Sequence, residues 1–387
     1  MNPGKNGPKS QPSKEQNAQG SFKQPPILVG YTYFPEDAYK ARDENRLLAI
    51  RLETNITCNL RCRYCYAESS PDSKSVQSYE ALTDVVRQAH DLGLHSVVVI
   101  GGGEPTIHPR FGDLIRFISS RDIIPMIFTN TITMTKDLAS FLYDHNASVM
   151  GKLDSLNPEV QDFLCNKKGV FKRIQNGLDN LMEAGFSNPE DPRMLRLGVS
   201  FVSCKMNLAE IEKIWYFCRQ RNIFPNMEVL TPTGRARNEL SGQGITLEEI
   251  KDYKLRILEV DKKTYGYNWL PYTPLTASGC LQYLYSFYIT IDGDVRPCAP
   301  TKLDKHPAMK KNGIYPHNVF RRSISEIYHD SLFKYVRNID KYLEGKCGGC
   351  EYLDECIGCR GYAYSVNVNE GKDPYAALRS ECLQCFR

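Results

Sequence analysis

The sequence predicts an α/β fold that gives way to a cysteine-rich C-terminal region. Three observations carry this expectation. Short apolar runs alternate six times with longer amphipathic segments between residues 47 and 263, the alternation stops near residue 267, and all but three of the 14 cysteines fall in groups. Six strand–helix units in series imply parallel strands joined by right-handed crossovers. Such a sheet is either doubly wound or curled into a full or partial barrel.

The elements follow in order. LLAIRLETNIT (47–57) is a strand, and YEALTDVVRQAHDLG (79–93) repeats its apolar residues at helical spacing. SVVVIGG (96–102) is β-branched and continuous, as suits a strand buried on both faces. FGDLIRFISSRD (111–122) is helical, IPMIFTN (124–130) a strand, KDLASFLYDHN (136–146) a helix and SVMGKLDS (148–155) a strand. VFKRIQNGLDNLMEAGF (170–186) is a helix, RLGVSFVSC (196–204) a strand and LAEIEKIWYFCRQRN (208–222) a helix. NMEVLTP (226–232) and TLEEIKDYKLRILEVDKK (246–263) complete the sixth pair. Beyond this, SFYITIDGDVRPC (286–298) reads as a hairpin turning at Asp-Gly, and SISEIYHD (323–330) as a short helix. The remainder has little regular periodicity, and metal is expected to hold it together in place of a large apolar core. The expected organisation is a polar, disordered tail over 1–26, an α/β unit over 27–266 and a cysteine-rich unit over 267–387. No internal repeats are apparent.

Composition narrows the function. The chain has 387 residues, 41% hydrophobic and 24% charged, with a net charge of +4, which is too small to argue for nucleic acid. No apolar run reaches the roughly 18 residues needed to span a bilayer. The N-terminus lacks the apolar segment of a secretory signal. A reducing, cytoplasmic compartment is therefore expected, in which clustered cysteines favour metal over disulfides.

TCNLRCRYCYAE (57–68) places Cys58, Cys62 and Cys65 in a C-x-x-x-C-x-x-C array directly after the first strand. A structural zinc site closes with four protein ligands, and four-iron clusters are normally held by four thiolates. Three thiolates leave one position open for a reactant. GGGEP (101–105) follows the second strand at the same rim, the C-terminal edge that carries the chemistry in barrels of this kind. Its glycines match neither the P-loop nor the dinucleotide pattern.

Taken together, the triplet after the first strand, Tyr64 before its last cysteine and the glycine segment resemble the radical S-adenosylmethionine superfamily. The resemblance implies a partial (β/α)6 TIM-like barrel. It implies that the methionine part of S-adenosylmethionine chelates the open iron of a four-iron cluster, that an electron from the cluster breaks the sulfonium bond, and that a 5′-deoxyadenosyl radical removes a substrate hydrogen. Gly101, Gly102, Gly103 and Glu104 would lie along the cofactor's amino group, and Asn130 and Ser200 sit where ribose contacts are expected. Related enzymes often carry Ser-Leu-Asp-Gly on the fourth strand and an arginine in the next helix that meets the cofactor carboxylate. Here the strand reads GKLDS and Cys165 stands at the arginine position, so Lys152 is expected to take the carboxylate.

The later cysteines, Cys280, Cys298, Cys347, Cys350, Cys356, Cys359, Cys382 and Cys385, resemble the SPASM extension, an auxiliary-cluster domain with two further four-iron clusters. By that resemblance Cys280, Cys298 and Cys359 serve the first, and Cys347, Cys350, Cys356 and Cys382 the second. Two departures stand out. CIGC has two residues between its cysteines where three are usual, and CLQYLYS lacks a second cysteine. The first auxiliary cluster then either keeps an open iron or is closed by Cys385. A zinc ribbon is the competing reading of this region.

The expected activity is modification, with net oxidation, of a peptide or protein side chain. The alternative is dehydrogenation, decarboxylation or epimerisation of a small metabolite such as a sugar or aminocyclitol, and a weaker one is a non-catalytic iron-sulfur or zinc protein. An external reductant such as flavodoxin or ferredoxin is implied, and no membrane partner. About fifty residues precede the first strand, so the leader-binding winged helix of many peptide-modifying relatives is expected to come from a separate protein. Cys204, Cys218 and His108 are expected to be structural, and Arg235 and Arg237 to lie in a solvated loop.

Overall fold

The computed structural model describes residues 23–273, 275–277, 279–299, 301, 315–353, 355–383 and 385. Residues 1–22 of the expected tail lie outside the described residues. Ten strands are described: β1 (Ile27–Leu28), β2 (Ala49–Glu53), β3 (Ser96–Ile100), β4 (Ile124–Thr129), β5 (Ser148–Lys152), β6 (Met194–Leu195), β7 (Leu197–Ser203), β8 (Phe224–Val229), β9 (Ser286–Ile289) and β10 (Val295–Arg296).

Eight of them form one sheet in the order β10-β9-β2-β3-β4-β5-β7-β8. From β9 to β8 every neighbouring pair is parallel, and only β9–β10 is antiparallel. The six expected strands therefore lie in chain order, as a partial barrel requires, and the sheet stays open. Each expected helix is present and shorter than its apolar pattern. The second element, for instance, is Tyr79–His90, started by Ser78, whose side chain accepts from Ala81 N. Two helices that periodicity did not single out, Pro35–Asp43 and Pro158–Cys165, each begin at a proline in the first turn.

Side-chain alternation splits the sheet into two faces. Ile50, Leu52, Val97, Val99, Ile127, Val149, Leu197, Val199 and Phe201 pack with the helices in the main core. On the inner face Val98, Met126, Met150 and Phe224 meet Leu28, Tyr31 and Leu195. The small β1–β6 pair thus plugs the inner face at the start of the strands. Farther along, the inner face turns polar. Lys152, Ser200 and Asn226 are register neighbours on β5, β7 and β8.

The C-terminal region is more regular than its sequence suggested. It adds helices Ser331–Arg337, Arg360–Asn369 and Pro374–Arg379 beside the expected Ile324–Tyr328. It also has an apolar core: Leu281, Leu284, Tyr285, Leu332, Val336, Ile339 and Leu378 bury against Ala38, Ala41 and Leu48. Helices of fewer than three turns show too few repeats for a period to stand out. The expected hairpin forms, and it joins the barrel sheet: β9 pairs with β2, with Ala49 opposite Ser286 and Leu52 opposite Ile289. Glu53 fastens this seam, accepting from Tyr288 Oη and, at 2.9 Å, from Ile291 N.

The last barrel helix, Leu247–Val260, starts with a Thr246–Glu249 capping box and runs into a π turn, Asp261–Tyr265. Asp261 is fully buried there. It accepts from Arg219 Nε at 3.1 Å and Nη2 at 2.8 Å, Trp215 Nε1 at 3.0 Å and Trp269 Nε1 at 2.9 Å. Replacing Asp261 with Ala strands a buried guanidinium and two indole N–H groups. The expected loss is about 3–5 kcal/mol of unfolding free energy, read from urea denaturation of the intact chain.

Candidate functional site

Cys58, Cys62 and Cys65 lie partly buried on the loop after β2. Neighbouring segments fix that loop at many points. Cys58 N donates to Ser70 O at 3.1 Å, Cys65 N to Cys62 O at 3.2 Å and Arg63 N to Leu164 O at 2.9 Å. Arg63 also reaches Phe163 O at 3.0 Å, Asn166 Oδ1 at 2.9 Å and Glu239 Oε2 at 3.2 Å. Arg235 is the strongest clamp. It is buried, not solvated as its loop position suggested, and donates from Nε to Cys62 O at 2.9 Å and from Nη2 to Ser69 O at 2.6 Å. Its own N–H reaches Cys65 O at 3.2 Å. Gly234 makes this approach possible: at φ +54°, a Cβ would lie 2.6 Å from Cys65 O. Arg237, two residues on, is exposed.

The glycine segment presses on the same loop. Gly103 N donates to Asn55 O at 2.9 Å and Glu104 N to Thr57 O at 3.0 Å. Asn55 Nδ2 answers by donating to Thr57 O at 2.7 Å and Glu104 O at 3.0 Å. A Cβ on Gly103 would fall 1.9 Å from Thr57 O, so only glycine fits. Gly101 and Gly102 form the turn ahead of it, and Ser69 Oγ donates to Gly102 O.

Glu104 is buried, and four protein donors converge on its carboxylate. Oε1 accepts from Thr106 N at 3.2 Å, Thr106 Oγ1 at 2.7 Å and Thr129 Oγ1 at 2.7 Å, and Oε2 from Asn130 N at 2.8 Å. Burial raises its pKa above the ordinary value, against the pull of these donors. Glu104 therefore ties the end of β3 to the end of β4. Asn130 extends the tie to the triplet, donating to Asn59 Oδ1 at 2.6 Å and standing 4.0 Å from Cys58 Sγ.

On the other side of the triplet, Lys152 Nζ lies 3.0 Å from Asp154 Oδ1 and 4.9 Å from the centre of the Tyr64 ring. Asp154 is fully buried and also accepts from Tyr64 Oη at 2.8 Å and Val202 N at 2.9 Å. Burial works against the charge of Lys152, but Asp154 and then Glu228 outweigh it, so its pKa lies above the ordinary value. An ammonium has three donors, and Asp154 is the only ion-pair partner of Lys152 among the described residues. Ser200 Oγ, the next side chain on the inner face, accepts from Asn226 Nδ2 at 3.2 Å. Cys165 ends its helix fully buried in the main core, against which Cys62 packs, and its Sγ accepts from Gln161 Nε2 at 3.1 Å.

The C-terminal cysteines form two neighbourhoods. Burial, then the adjacent Cys280, pushes the Cys298 thiol up to about 12. Burial also raises Cys359, which stands within electrostatic reach of Cys382, Cys280 and Cys298. Cys359 caps the helix Arg360–Asn369, accepting from Tyr362 N at 3.3 Å, so the positive helix end favours its thiolate. In the second neighbourhood, burial and then Cys382, Cys385 and Cys347 push Cys356 up to about 11. Cys350 follows Cys347, its N donating to Cys347 O at 3.3 Å. Cys385 N donates to Cys382 O at 3.5 Å, and Cys382 is within electrostatic reach of both Cys356 and Cys359.

Among the described residues, no three His, Cys, Asp or Glu side chains close on a point for a single metal ion. The donor chemistry fits iron-sulfur clusters. Cys58 is pushed up to about 12 by burial and by neighbouring Glu104, Cys62 and Cys65, so it keeps its proton until a bound cation displaces it. His108 is structural, with Nε2 on Gln77 O at 3.0 Å and Nδ1 accepting from Arg110 N at 3.1 Å. Cys204 and Cys218 are core residues. Among the described residues, no helix is long and apolar enough to cross a membrane.

A rim of three thiols braced by a glycine-rich segment, beside a second cysteine-rich unit, defines a metal-dependent enzyme. The radical SAM superfamily profile matches residues 52–214, and that of an iron-sulfur cluster-binding domain, SPASM, matches residues 280–351. The chain is 24% identical over 370 residues to the AdoMet-dependent heme synthase of Methanosarcina barkeri, covering 86% of this chain and 97% of that one. It is 24% identical over 352 residues to mycofactocin maturase MftC of Mycobacterium tuberculosis, covering 87% and 83%. Streptococcus suis SuiB bound to its precursor peptide SuiA superposes with a TM-score of 0.64 at 17% identity, covering 90% of this chain and 78% of that one. The enzyme anSMEcpe with AdoMet and a peptide gives 0.59 at 14%, covering 82% and 90%. The chain belongs to the radical SAM superfamily and carries a SPASM domain. Its cofactors are S-adenosylmethionine and four-iron clusters.

Sequence reasoning missed Arg235, Glu53 and Asp154. Apart from Lys152 beside Asp154, their partners are backbone atoms or residues far along the chain, which no local pattern reports. Gly103→Ala is expected to cost about 3 kcal/mol or more and to lower the iron retained per chain, measured by urea unfolding and metal analysis of the reconstituted protein.

Proposed function

We propose that this enzyme modifies a peptide or protein side chain, with net oxidation, after reductive cleavage of S-adenosylmethionine at the rim. The observation that carries the rim assignment is that Lys152, in register with Ser200 and Asn226 on the inner face, lies 4.9 Å from the ring of Tyr64 within the loop of Cys58, Cys62 and Cys65. When bound, the cluster and cofactor supply a carbon radical that removes a hydrogen atom from the substrate. The chain's residues do the positioning. Cys58, Cys62 and Cys65 hold the cluster and leave one position for the cofactor. Lys152, held in place by Asp154, offers its remaining donors to the cofactor carboxylate. Glu104 braces the strand ends so that the glycine backbone and Asn130 line the cofactor, and Ser200 faces its ribose. Tyr64 closes that side of the loop.

Cys280, Cys298 and Cys359 are assigned to the first auxiliary cluster, and Cys347, Cys350 and Cys356 to the second. Cys382 and Cys385 both stand with Cys356, which supports closing the second cluster from this pair. An electron-accepting role for these clusters would suit an oxidative outcome. Flavodoxin or ferredoxin is the proposed electron source, and a separate protein the proposed carrier of leader-peptide recognition. The free thiols suit a reducing, cytoplasmic setting.

The peptide reading is supported by SuiB and anSMEcpe, whose structures share this fold and hold peptides. The heme synthases, aligned over most of the chain, favour a second reading, a small-molecule substrate.

Anaerobic reconstitution tests the chemistry. About twelve irons per chain, as three four-iron clusters, and 5′-deoxyadenosine on reduction with S-adenosylmethionine are expected, with deoxyadenosine lost when Cys58, Cys62 and Cys65 are all Ala. Zinc without iron, or loaded clusters that never cleave the cofactor, would sink the reading. Lys152→Met should weaken S-adenosylmethionine binding about 10- to 100-fold, the loss of one charged hydrogen bond, measured by equilibrium binding to the oxidised protein. Unchanged affinity would remove Lys152 from the site.

A further inference from the structure

The strand β2 carries one charged side chain that the rest of the protein leaves unanswered. Ile50 and Leu52 bury in the main core, so Arg51 between them points to the inner face. Its Cζ lies 5.6 Å from the centre of the Tyr31 ring, and Tyr31 in turn meets Phe128 edge-on, ring centres 5.2 Å apart. Arg51 is half-buried. Apart from that ring contact, it makes no hydrogen bond and no ion pair among the described residues.

The buried carboxylates near the strand ends are taken. Glu53, the next inner-face residue on β2, accepts from Tyr288 Oη and Ile291 N. Asp154 holds Lys152 and accepts from Tyr64 Oη and Val202 N. Glu228 faces the interior from β8, at the other edge of the parallel strands, where Asn226 Nδ2 donates to its Oε1 at 3.2 Å. On β3 and β4, between these two charges, Ile100 and Phe128 keep partly exposed apolar side chains on the same face. The interior is thus apolar in the middle, with an unpaired cation on the strand that leads into the cysteine triplet.

A guanidinium drawn partly out of water without an acceptor costs free energy that a bound anion recovers. Its planar fork offers two parallel donors, which match the two oxygens of a carboxylate. A phosphate dianion calls for a second cation, and Lys152 is held by Asp154. We propose that Arg51 holds a carboxylate of the substrate inside the barrel and so selects acidic substrates over their neutral counterparts. The proposal deepens the function given above and rests on the barrel interior receiving the substrate.

The test is saturation-transfer nuclear magnetic resonance with matched probes on the reconstituted, oxidised full chain loaded with S-adenosylmethionine. N-acetylglutamate methylamide carries a side-chain carboxylate, N-acetylalanylalanine a chain-terminal one, and glutarate one without a peptide. Each is compared with its neutral amide. At least one acid should bind about 10- to 100-fold more tightly than its amide, as one charged hydrogen-bonded pair implies, and the acid that does so identifies the source of the carboxylate. Arg51→Met should abolish the preference at unchanged iron content and S-adenosylmethionine affinity. Arg51→Lys should keep part of it, and Arg237→Met, an equal change of charge at an exposed site, should leave it whole. No acid preference in the wild type overturns the proposal, and this comparison needs no substitution, so it stands even if Arg51→Met fails to fold. A preference that survives Arg51→Met also overturns it. If an auxiliary-cluster resonance then shifts instead, the guanidinium serves the cluster, since it stands within electrostatic reach of Cys280 and Cys298. Failure of the oxidative reading is told apart, because these probes bind the oxidised protein without turnover.

Discussion

The rim is organised by one close backbone contact, that of residues 103–104 on residues 55–57. Two strand ends are stitched by Gly103 N to Asn55 O and Glu104 N to Thr57 O, and the Asn55 side chain donates back to Glu104 O while also holding Thr57 O. Cys58 is the next residue. Its position therefore follows from how near the glycine segment can come, and a side chain at Gly103 would overlap the carbonyl of Thr57. Glu104 carries the constraint onward to β4 through Thr129 and Asn130. A buried carboxylate is costly unless its lone pairs are met, and here the donors that meet it are the ends of the elements it must hold together.

The cysteine loop itself has no regular structure, so its order is borrowed. Arg235 reaches in from beyond β8 and holds two carbonyls of the loop, while Arg63 anchors its far side to the helix Pro158–Cys165. A guanidinium offers several donors in a rigid plane, which lets one side chain fix several backbone acceptors. This suits a loop whose function is to hold three thiols toward a metal centre. The same economy appears at the seam between the barrel and the C-terminal region, where Glu53 bonds Tyr288 and the backbone of Ile291. Tyr288 also stands within electrostatic reach of Tyr66, next to Cys65, so the hairpin approaches the cysteine loop at this seam.

Much of this could be read in advance. The order of strands and helices followed from periodicity, because a buried parallel strand and an amphipathic helix leave different patterns. The triplet and GGGEP were legible because ligand chemistry and close approach each demand particular residue types at short spacing. Lys152 was legible only as a departure from a pattern. That Asp154 also gathers Tyr64 and the backbone of Val202 around it required the fold. Arg235 looked like a loop residue because nothing local distinguishes a guanidinium in solvent from one clamping a distant carbonyl.

The sequence by itself determined the alternation of strands and helices, the placement of the triplet and glycine segment at the strand ends, and the presence of further thiols for metal. Those features depend on residue type and local period. Only the tertiary structure decided that the hairpin β9–β10 extends the barrel sheet, and that the C-terminal region has an apolar core of its own with Ala38, Ala41 and Leu48. The physical reason is that these depend on contacts between residues far apart in the chain. Such contacts are selected by how surfaces fit once the chain has folded, and no short stretch of sequence contains them.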